Sequence, residues 1–242
     1  MSAAAIKNSV FAMIPARYAA SRFPGKLMQL LGNKSVIRHV HDNALATGLF
    51  DAVLVVTDSD IIFQEIISHG GKAVMSKKQH ESGSDRIAEA VAELNADIII
   101  NIQGDEPFLN KEPLEKLIPL FDDASVQVAS LMRKISSEEA ANSNNVKVVV
   151  DKNNDALYFS RSPIPFAREG SAEYFLHIGV YAYRKNALLS FTSLPVSKLE
   201  NSEKLEQLRY LENGIKIKMS ETDYINVAID TPEDLEKAKK MI

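Results

Sequence analysis

The sequence predicts an α/β protein with a mostly parallel, doubly wound sheet, helices on both faces and a mixed antiparallel extension. Over the first half of the chain, short apolar segments alternate with segments of helical spacing, as in successive β-α-β units. Ile98–Ile100 with Ile102 are all β-branched, which is typical of a strand buried on both faces. Later apolar segments lie closer together and are more aromatic, which indicates mixed or antiparallel pairing.

Local patterns predict the elements in chain order. The predicted strands of the first half are Val10–Ile14, Val53–Val56, KAVMS, the isoleucine segment and VQVASLM. The predicted helices are SVIRHVHDNALATGLF capped by Ser35, IIFQEIISHGG closed by Gly70 and Gly71, SDRIAEAVAEL beginning near Ser84 or Asp85, and EPLEKLIPLF with Pro113 in its first turn.

The extension contains the predicted strands NVKVVVD, ALYFS and GVYAYR. A single long helix, SKLENSEKLEQLRYLENG, is predicted to end at Gly214. The final helix is predicted to be capped by Thr231, with Pro232 at its first position. No linker divides the chain, so residues 1–242 are expected to form a single domain.

Composition limits the function. The 242 residues carry a net charge of −4, so no general basic field attracts nucleic acid or acidic lipid. The absence of cysteine excludes disulfides, thiolate metal sites and cysteine nucleophiles. No apolar segment approaches the roughly 18 residues of a membrane span. A cytoplasmic protein is therefore expected, with neither nucleic acid nor membrane as a partner.

Asp105 follows the isoleucine strand within NIQGDEP. Ligands of open α/β sheets bind at the carboxyl ends of the strands, so Asp105 is expected beside a ligand. The alternative is a helix cap, but Asp105 lies well before Pro113. A carboxylate at this position suits Mg²⁺, which binds one or two carboxylates together with substrate phosphates.

The loop after the first strand, IPARYAASRFPGKL, carries Arg17, Arg22 and Lys26 and no acidic residue. It matches neither GxGxxG nor a Walker A sequence. Three cations in a chain of net negative charge indicate a bound polyanion. A solvated basic loop is the alternative interpretation.

Eight motifs in order resemble the 3-deoxy-manno-octulosonate cytidylyltransferase family, also called CMP-Kdo synthetases. They are IPARYAASRFPGK, SGSDRIAEA, NIQGDEP, NVKVVVD, LYFSRSPIPF, HIGVYAYR, LENSEKLEQLRYLENG and IDTPEDLE. The resemblance extends from about Val10 to Glu236. It implies a GT-A-like nucleotidyltransferase, a homodimer, that uses Mg²⁺. The implied reaction joins CTP to 3-deoxy-D-manno-octulosonate (Kdo), giving CMP-Kdo and pyrophosphate for lipopolysaccharide biosynthesis.

The resemblance also assigns parts of the chain. Residues of about 10–135 would form the nucleotide-binding half, about 136–225 the sugar-binding and dimerisation part, and 226–242 a strand end and helix that close the metal site. The implied catalytic residues are Arg17, Lys26, Asp105 and Asp230, of which Asp105 and Asp230 would hold the metal. The implied nucleotide-binding residues are Arg17, Arg22, Lys26, Ser82, Gly83, Arg86 and Gln103. The implied sugar-binding residues are Arg161, His177, Gly179, Tyr181, Glu206 and Gln207.

Several assignments have alternatives. Asp230 could simply precede the Thr231 cap, and His177 could be a structural group. Arg86 could contact cytosine or the sugar acid, or only pair with Asp85 or Glu89. The glutamate and glutamine at positions 206 and 207 could belong to an exposed polar helix face.

The substrate also has alternatives. The segment between Pro165 and His177 is short for the family, so an 8-amino form of Kdo remains open. Other candidates are a cytidylyltransferase for sialic acid or methylerythritol phosphate, and a non-catalytic nucleotide-binding protein. The segment Asp58-Ser59-Asp60 resembles the Asp-x-Asp of glycosyltransferases, but Asp60 is expected to cap the helix that begins at Ile61.

Overall fold

The computed structural model describes residues 8–19, 23–80 and 82–242. The strands are β1 (Val10–Ala16), β2 (Leu30–Leu31), β3 (Lys34–Ser35), β4 (Ala52–Thr57), β5 (Lys72–Met75), β6 (Ile98–Asn101), β7 (Val128–Ile135), β8 (Lys147–Val150), β9 (Ala156–Ser160), β10 (Tyr174–Arg184) and β11 (Ile217–Glu221). The α-helices are α1 (Val36–Ala46), α2 (Asp60–Ile67), α3 (Gly83–Ala92), α4 (Lys111–Leu117), α5 (Ser137–Ala141), α6 (Lys185–Phe191), α7 (Lys198–Glu203), α8 (Leu208–Glu212) and α9 (Pro232–Lys239). Short 3₁₀ helices cover Lys26–Met28 and Ile118–Asp122.

Two compact units make up the chain. The first unit comprises Met1–Asn110 and Val227–Ile242, and the second comprises Lys111–Asn226. Within the described ranges, no helix has both the length and the apolar character needed to cross a membrane.

The first unit is built on a parallel sheet with the strand order β6-β1-β4-β5. The strands are apolar because both faces are covered: Ile98, Ile99 and Ile100 are at most 1% exposed. Ser35 caps α1 by accepting a hydrogen bond from the backbone of Arg38, as predicted. Helix α2 begins one residue earlier than predicted, so Asp60 is its first residue and Ser59 its N-cap.

The chain reverses its direction across this sheet between β5 and β6. It steps from β1 to β4 to β5 and then returns to pair β6 with the free edge of β1. Because crossover connections are right-handed, α3 lies on the opposite face from α1 and α2. The predicted doubly wound sheet is thereby confirmed, and its switch point lies between β1 and β6.

The second unit contains a mixed sheet. Strand β7 pairs in parallel with β11 and antiparallel with β10, and β8 pairs antiparallel with both β10 and β9. The predicted mixed extension is therefore confirmed. The sequence interpretation missed β11, the short helices α5 and α6, and the β2–β3 hairpin of the first unit.

The prediction of one long helix ending at Gly214 is wrong. Helix α7 ends at Glu203, and Lys204 adopts a left-handed conformation with φ 55°. A buried, bidentate ion pair between Glu200 and Arg209 explains the break, with Nε to Oε2 at 2.7 Å. Residues nine apart lie on opposite faces of a continuous helix, so this pair can form only if the helix is interrupted.

Gly104 shows how closely the loops after β1 and β6 approach each other. A Cβ atom at this position would lie 2.9 Å from the backbone oxygen of Pro15 and 3.2 Å from the Ile37 side chain. We expect Gly104→Ala to lower the free energy of unfolding by about 1–3 kcal/mol, because backbone must move to admit the methyl group. Denaturant titration measures the change.

Gly179→Ala is the matched control for that prediction. Its added Cβ would meet no atom within 4 Å, and its φ is not positive. The control is expected to be neutral or slightly stabilising, since alanine restricts the unfolded chain. Equal unfolding free energies for Gly104→Ala and the wild type would show that the two loops are not in tight contact.

Candidate functional site

The candidate site lies at the switch point of the first unit, at the carboxyl ends of β1 and β6. A cavity of about 260 Å³ occupies this position. Its wall contains every predicted nucleotide- or metal-binding residue within the described ranges: Arg17, Lys26, Ser82, Gly83, Arg86, Gln103, Asp105 and Asp230. Arg22, the other predicted phosphate ligand, lies outside the described residues.

One ammonium group joins three distant segments at the base of this cavity. Lys26 Nζ lies 2.5 Å from Asp105 Oδ2 and 2.9 Å from Asp230 Oδ1. Burial alone would lower the pKa of Lys26, but the charge of Asp105 and hydrogen bonds to both carboxylates outweigh it and raise the pKa. Lys26 is therefore a fixed positive charge between two carboxylates.

Asp230 reaches this position without a strand. The sequence interpretation placed it at a strand end after Val227–Ile229, but the structure has no strand between Glu221 and α9. The Ile229 backbone N–H instead donates to the Asp105 backbone oxygen at 2.9 Å, which ties the segment to the loop after β6. Thr231 caps α9, as the sequence predicts, and the structure shows that it does so through a reciprocal capping box with Asp234.

The two carboxylates fit a hard divalent cation. Their oxygens converge on one point, and Lys26 already places a positive charge there. Carboxylate oxygens are the ligands that Mg²⁺ prefers. In the described part of the chain, no cluster of three or more histidine, aspartate or glutamate side chains offers a more complete protein site. A cation held here would complete its coordination with substrate or water oxygens.

Arg86 is anchored more firmly than the sequence indicates. It is 4% exposed, and its guanidinium donates to Asp58 Oδ2 at 2.7 Å and to Ser76 Oγ at 3.1 Å. The sequence leaves Asp85 and Glu89 open as alternative partners of Arg86. Asp85 instead accepts a hydrogen bond from Ser82, and Glu89 contacts His80. Arg86 thus joins α3 to the segments after β4 and β5, while one side of it lines the cavity.

The first turn of α3 forms another part of the wall. Ser82 is the N-cap, and its Oγ accepts a hydrogen bond from the Asp85 backbone at 3.1 Å. Because a helix N-terminus carries partial positive charge, this turn suits anionic or hydroxyl groups. Gln103, on the facing loop, donates to Asn101 Oδ1 at 3.3 Å, so a buried β6 residue orients its amide.

His80 is a wall residue that the sequence interpretation missed. Its side chain is only 4% exposed, and Nε2 lies 2.8 Å from Glu89 Oε2. The Lys77 backbone N–H donates to the other oxygen of Glu89 at 2.6 Å and fixes that carboxylate. The signal was available: His80 immediately precedes the ESGSDR segment that was identified as a ligand loop.

The predicted sugar-side residues all belong to the second unit. His177 and Tyr181 lie on β10, with ring centroids 5.2 Å apart, and Phe159 packs edge-on against His177. Burial lowers the pKa of His177 to about 3, so its imidazole is neutral. Gly179, between them, has open space where a side chain would be.

Tyr181 carries a buried hydroxyl that has no hydrogen-bond partner among the described residues. Burial raises the pKa of Tyr181 well above its usual value, and the charges of Tyr183 and Glu206 add to the effect. Gln207 is buried just before α8, in the turn created by the helix break. The alternative of an exposed polar helix face is therefore wrong for Gln207.

Arg161 is held by backbone groups. Its guanidinium donates to the carbonyl oxygens of Glu203 at 2.9 Å and Ser143 at 3.2 Å. Lys147, which the sequence interpretation missed, is fully buried and donates to the Arg161 carbonyl oxygen at 2.5 Å. A lone lysine within the apolar segment NVKVVVD was the available signal.

Comparisons with known proteins identify the family of this chain. A family model described as cytidylyltransferase matches residues 11–217. The 3-deoxy-manno-octulosonate cytidylyltransferase of Flavobacterium johnsoniae is 60% identical over 96% of this chain and 98% of its own length. That of Christiangramia forsetii is 54% identical over 98% of each chain.

Solved structures give the same result. The structure of a CMP:2-keto-3-deoxy-manno-octonic acid synthetase complexed with CTP matches with a TM-score of 0.93 and 43% identity, over 96% of this chain and 98% of that one. A 4-diphosphocytidyl-2C-methyl-D-erythritol synthase from Anaerococcus prevotii shares only the fold, with a TM-score of 0.65 and 17% identity over 97% of this chain and 98% of that one. The chain belongs to the 3-deoxy-manno-octulosonate cytidylyltransferase family of cytidylyltransferases.

Proposed function

We propose that this protein transfers CMP from CTP to the anomeric hydroxyl of Kdo, releasing pyrophosphate and supplying CMP-Kdo for lipopolysaccharide biosynthesis. The observation that carries the proposal is the Lys26 ammonium between Asp105 and Asp230 at the switch point. It combines a phosphate-binding cation with two potential metal ligands in one cavity, as nucleotidyl transfer requires. Membership of the family supports the choice of CTP and Kdo.

CTP would be held mainly through its phosphates. Arg17 is exposed at the cavity wall, and Lys26 is within reach of the same space. The hydroxyl oxygen of the sugar would form a bond to the α-phosphorus and release its proton to water, while the bond from the α-phosphorus to the bridging oxygen breaks and pyrophosphate leaves. Positive side chains assist because the pyrophosphate leaving group gains negative charge. The first turn of α3 and Gln103 would contact the ribose, the base or the sugar.

Mg²⁺ is part of the proposal, with Asp105 and Asp230 as its protein ligands. When bound, it would neutralise phosphate charge and orient the attacking hydroxyl. Before a cation binds, Lys26 keeps the two carboxylates close together, since two like charges at this separation would otherwise repel each other. The carboxylates are therefore positioned for a cation before one binds.

The sugar acid Kdo would be recognised by residues of the second unit. Tyr181 offers a buried hydroxyl without a described partner, and a buried polar group of this kind is usually satisfied by a ligand or water. His177, Glu206 and Gln207 supply further polar groups. Arg161 is the cation proposed for the sugar carboxylate.

A homodimer and a cytoplasmic location also belong to the proposal, and the family resemblance is their support. An 8-amino form of Kdo and sialic acid are the alternative sugars. A non-catalytic nucleotide-binding protein is disfavoured because Lys26, Asp105 and Asp230 are all present and lie in contact.

Replacing either carboxylate by its amide tests the metal assignment. We expect Asp105→Asn and Asp230→Asn each to reduce turnover by about two orders of magnitude or more, because one charged ligand is removed with little change of shape. Pyrophosphate release at saturating Mg²⁺ measures the effect. Asp60→Asn, an exposed acid at the start of α2, is the control and should keep wild-type turnover. Near-wild-type turnover in either site variant would reject the pair as metal ligands.

Removing the ammonium tests the phosphate assignment. Lys26→Met should weaken CTP binding by about ten- to hundredfold, as expected when a hydrogen bond to a charged group is lost. Calorimetric titration measures the CTP affinity, and Kdo affinity should hardly change. Lys72→Met, which removes an exposed lysine from β5, is the matched control. Unchanged CTP affinity in Lys26→Met would mean that Lys26 only pairs with its carboxylates.

Substrate competition tests the proposed reaction itself. We expect CTP with Kdo to exceed CTP with sialic acid by roughly 10³-fold or more in kcat/KM, because a sugar with the wrong hydroxyl pattern leaves buried polar groups unpaired. The assay crosses each nucleoside triphosphate with Kdo, its 8-amino form and sialic acid. A higher kcat/KM for either alternative sugar would overturn the sugar assignment and leave the nucleotide assignment standing.

Two variants refine that test. Arg161→Ala should impair the use of Kdo most, since it removes the cation proposed for the sugar carboxylate. Gln207→Leu should have a smaller effect, because a neutral contact contributes less than a charged one. The reverse order of the two effects on KM for Kdo would contradict the placement of Arg161.

A further inference from the structure

Ser130 lies opposite an irregularity in β10. Leu131 pairs with Ile178 and Ser130 pairs with Tyr181, so two extra residues of β10 are accommodated between consecutive partners on β7. Such a β-bulge interrupts the ladder and leaves backbone groups to be satisfied by other means. Ser130 is completely buried at this point.

The Ser130 hydroxyl contacts three groups of the bulge. Its Oγ lies 3.1 Å from the Ile178 carbonyl oxygen, 3.0 Å from the Val180 carbonyl oxygen and 3.1 Å from His177 Nε2. Both carbonyl oxygens can only accept, and oxygens this close to Oγ would repel it without a hydrogen between them, so the single hydroxyl hydrogen lies toward the carbonyl oxygens. Oγ therefore presents a lone pair to His177.

The hydrogen bonds of Ser130 determine the tautomer of the His177 imidazole. Because Oγ accepts from His177, the ring must carry its hydrogen on Nε2. Burial lowers the pKa of His177 to about 3, so near neutral pH the ring has only one hydrogen. Nδ1 is then a pure acceptor, and it makes no hydrogen bond within the described part of the chain.

We propose that Ser130 is a positioning residue for the sugar acid: it secures the β10 bulge and holds His177 as the Nε2–H tautomer, so that Nδ1 accepts a hydrogen bond from a substrate hydroxyl. This inference rests on the proposed function for the identity of the ligand. It assigns His177 a defined role, the recognition of a substrate group that donates a hydrogen bond to Nδ1. A substrate with an ether oxygen or a hydrogen at that position would leave Nδ1 without its partner.

The competing explanation is that Ser130 only stabilises the bulge. Both explanations predict some loss of stability in Ser130→Ala, so stability cannot separate them. They differ in what happens to His177. A purely structural serine would leave the tautomer and the affinity for the sugar unchanged once the protein is folded.

The first measurement is the tautomer of His177 in the resting enzyme. Ring ¹⁵N signals distinguish protonated from unprotonated nitrogens, and the spectrum of His177→Gln assigns the signal among the five histidines. The wild type should carry the hydrogen on Nε2. Ser130→Ala should move a substantial fraction to Nδ1, Ser130→Thr should restore the wild-type form, and Ser193→Ala, which removes an exposed hydroxyl, should have no effect. A wild-type ring with its hydrogen on Nδ1 would overturn the proposal without any variant.

The second measurement is kinetic. Ser130→Ala should raise KM for the sugar acid about five- to tenfold, as for loss of one neutral hydrogen bond, with KM for CTP unchanged. Ser130→Thr should recover the wild-type KM. An unchanged sugar KM in folded Ser130→Ala would show that the serine is only structural. If the wild type formed no pyrophosphate with any sugar acid, the proposed function would fail, and the tautomer result would still decide whether Ser130 sets the imidazole.

Discussion

The first unit depends on one electrostatic contact, the ammonium of Lys26 between the carboxylates of Asp105 and Asp230. Its partners are 79 and 204 residues away along the chain, so the contact fixes the loop after β1, the loop after β6 and the start of α9 in one place. The carboxylates are 24% and 38% exposed, so water screens the attraction and its contribution to stability is modest. Its importance is geometric, because it determines where the charges of the cavity lie.

In the second unit, positively charged side chains bind backbone carbonyl oxygens, whereas Lys26 in the first unit binds carboxylates. Lys147 donates to the carbonyl oxygens of Asn142, Asn145 and Arg161, and the Arg161 guanidinium likewise binds carbonyl oxygens. Burial lowers the pKa of Lys147, yet these acceptors satisfy its hydrogens. Irregular backbone around β8 to β10 is thus stabilised by side chains that donate to it, and Ser130 serves the same purpose at the bulge.

Sequence reasoning succeeded where the determinants are local. The β-branched run of β6, the Ser35 cap and the Thr231 cap of α9 require only neighbouring residues, and the run with its β-α alternation predicted the parallel sheet. Sequence reasoning failed where a residue distant in the chain determines the local structure or the partner of a side chain. The Glu200–Arg209 pair breaks a helix that propensity favours, and Asp58 attracts Arg86 across 28 residues. No periodicity reveals such pairs, because each depends on the folded arrangement of the chain.

The charge balance of the cavity links the geometry to the proposed substrate. Asp105, Asp230 and Lys26 together carry one net negative charge, and Arg17 at the exposed wall offsets it. A triphosphate entering this space therefore meets little net attraction from these four side chains, although Lys26 and Arg17 favour it locally. If Lys26 contacted phosphate instead, the two carboxylates would lose their counter-charge, which would raise the energy of the site unless another cation replaced it. This balance supports the proposal that a divalent cation accompanies the nucleotide.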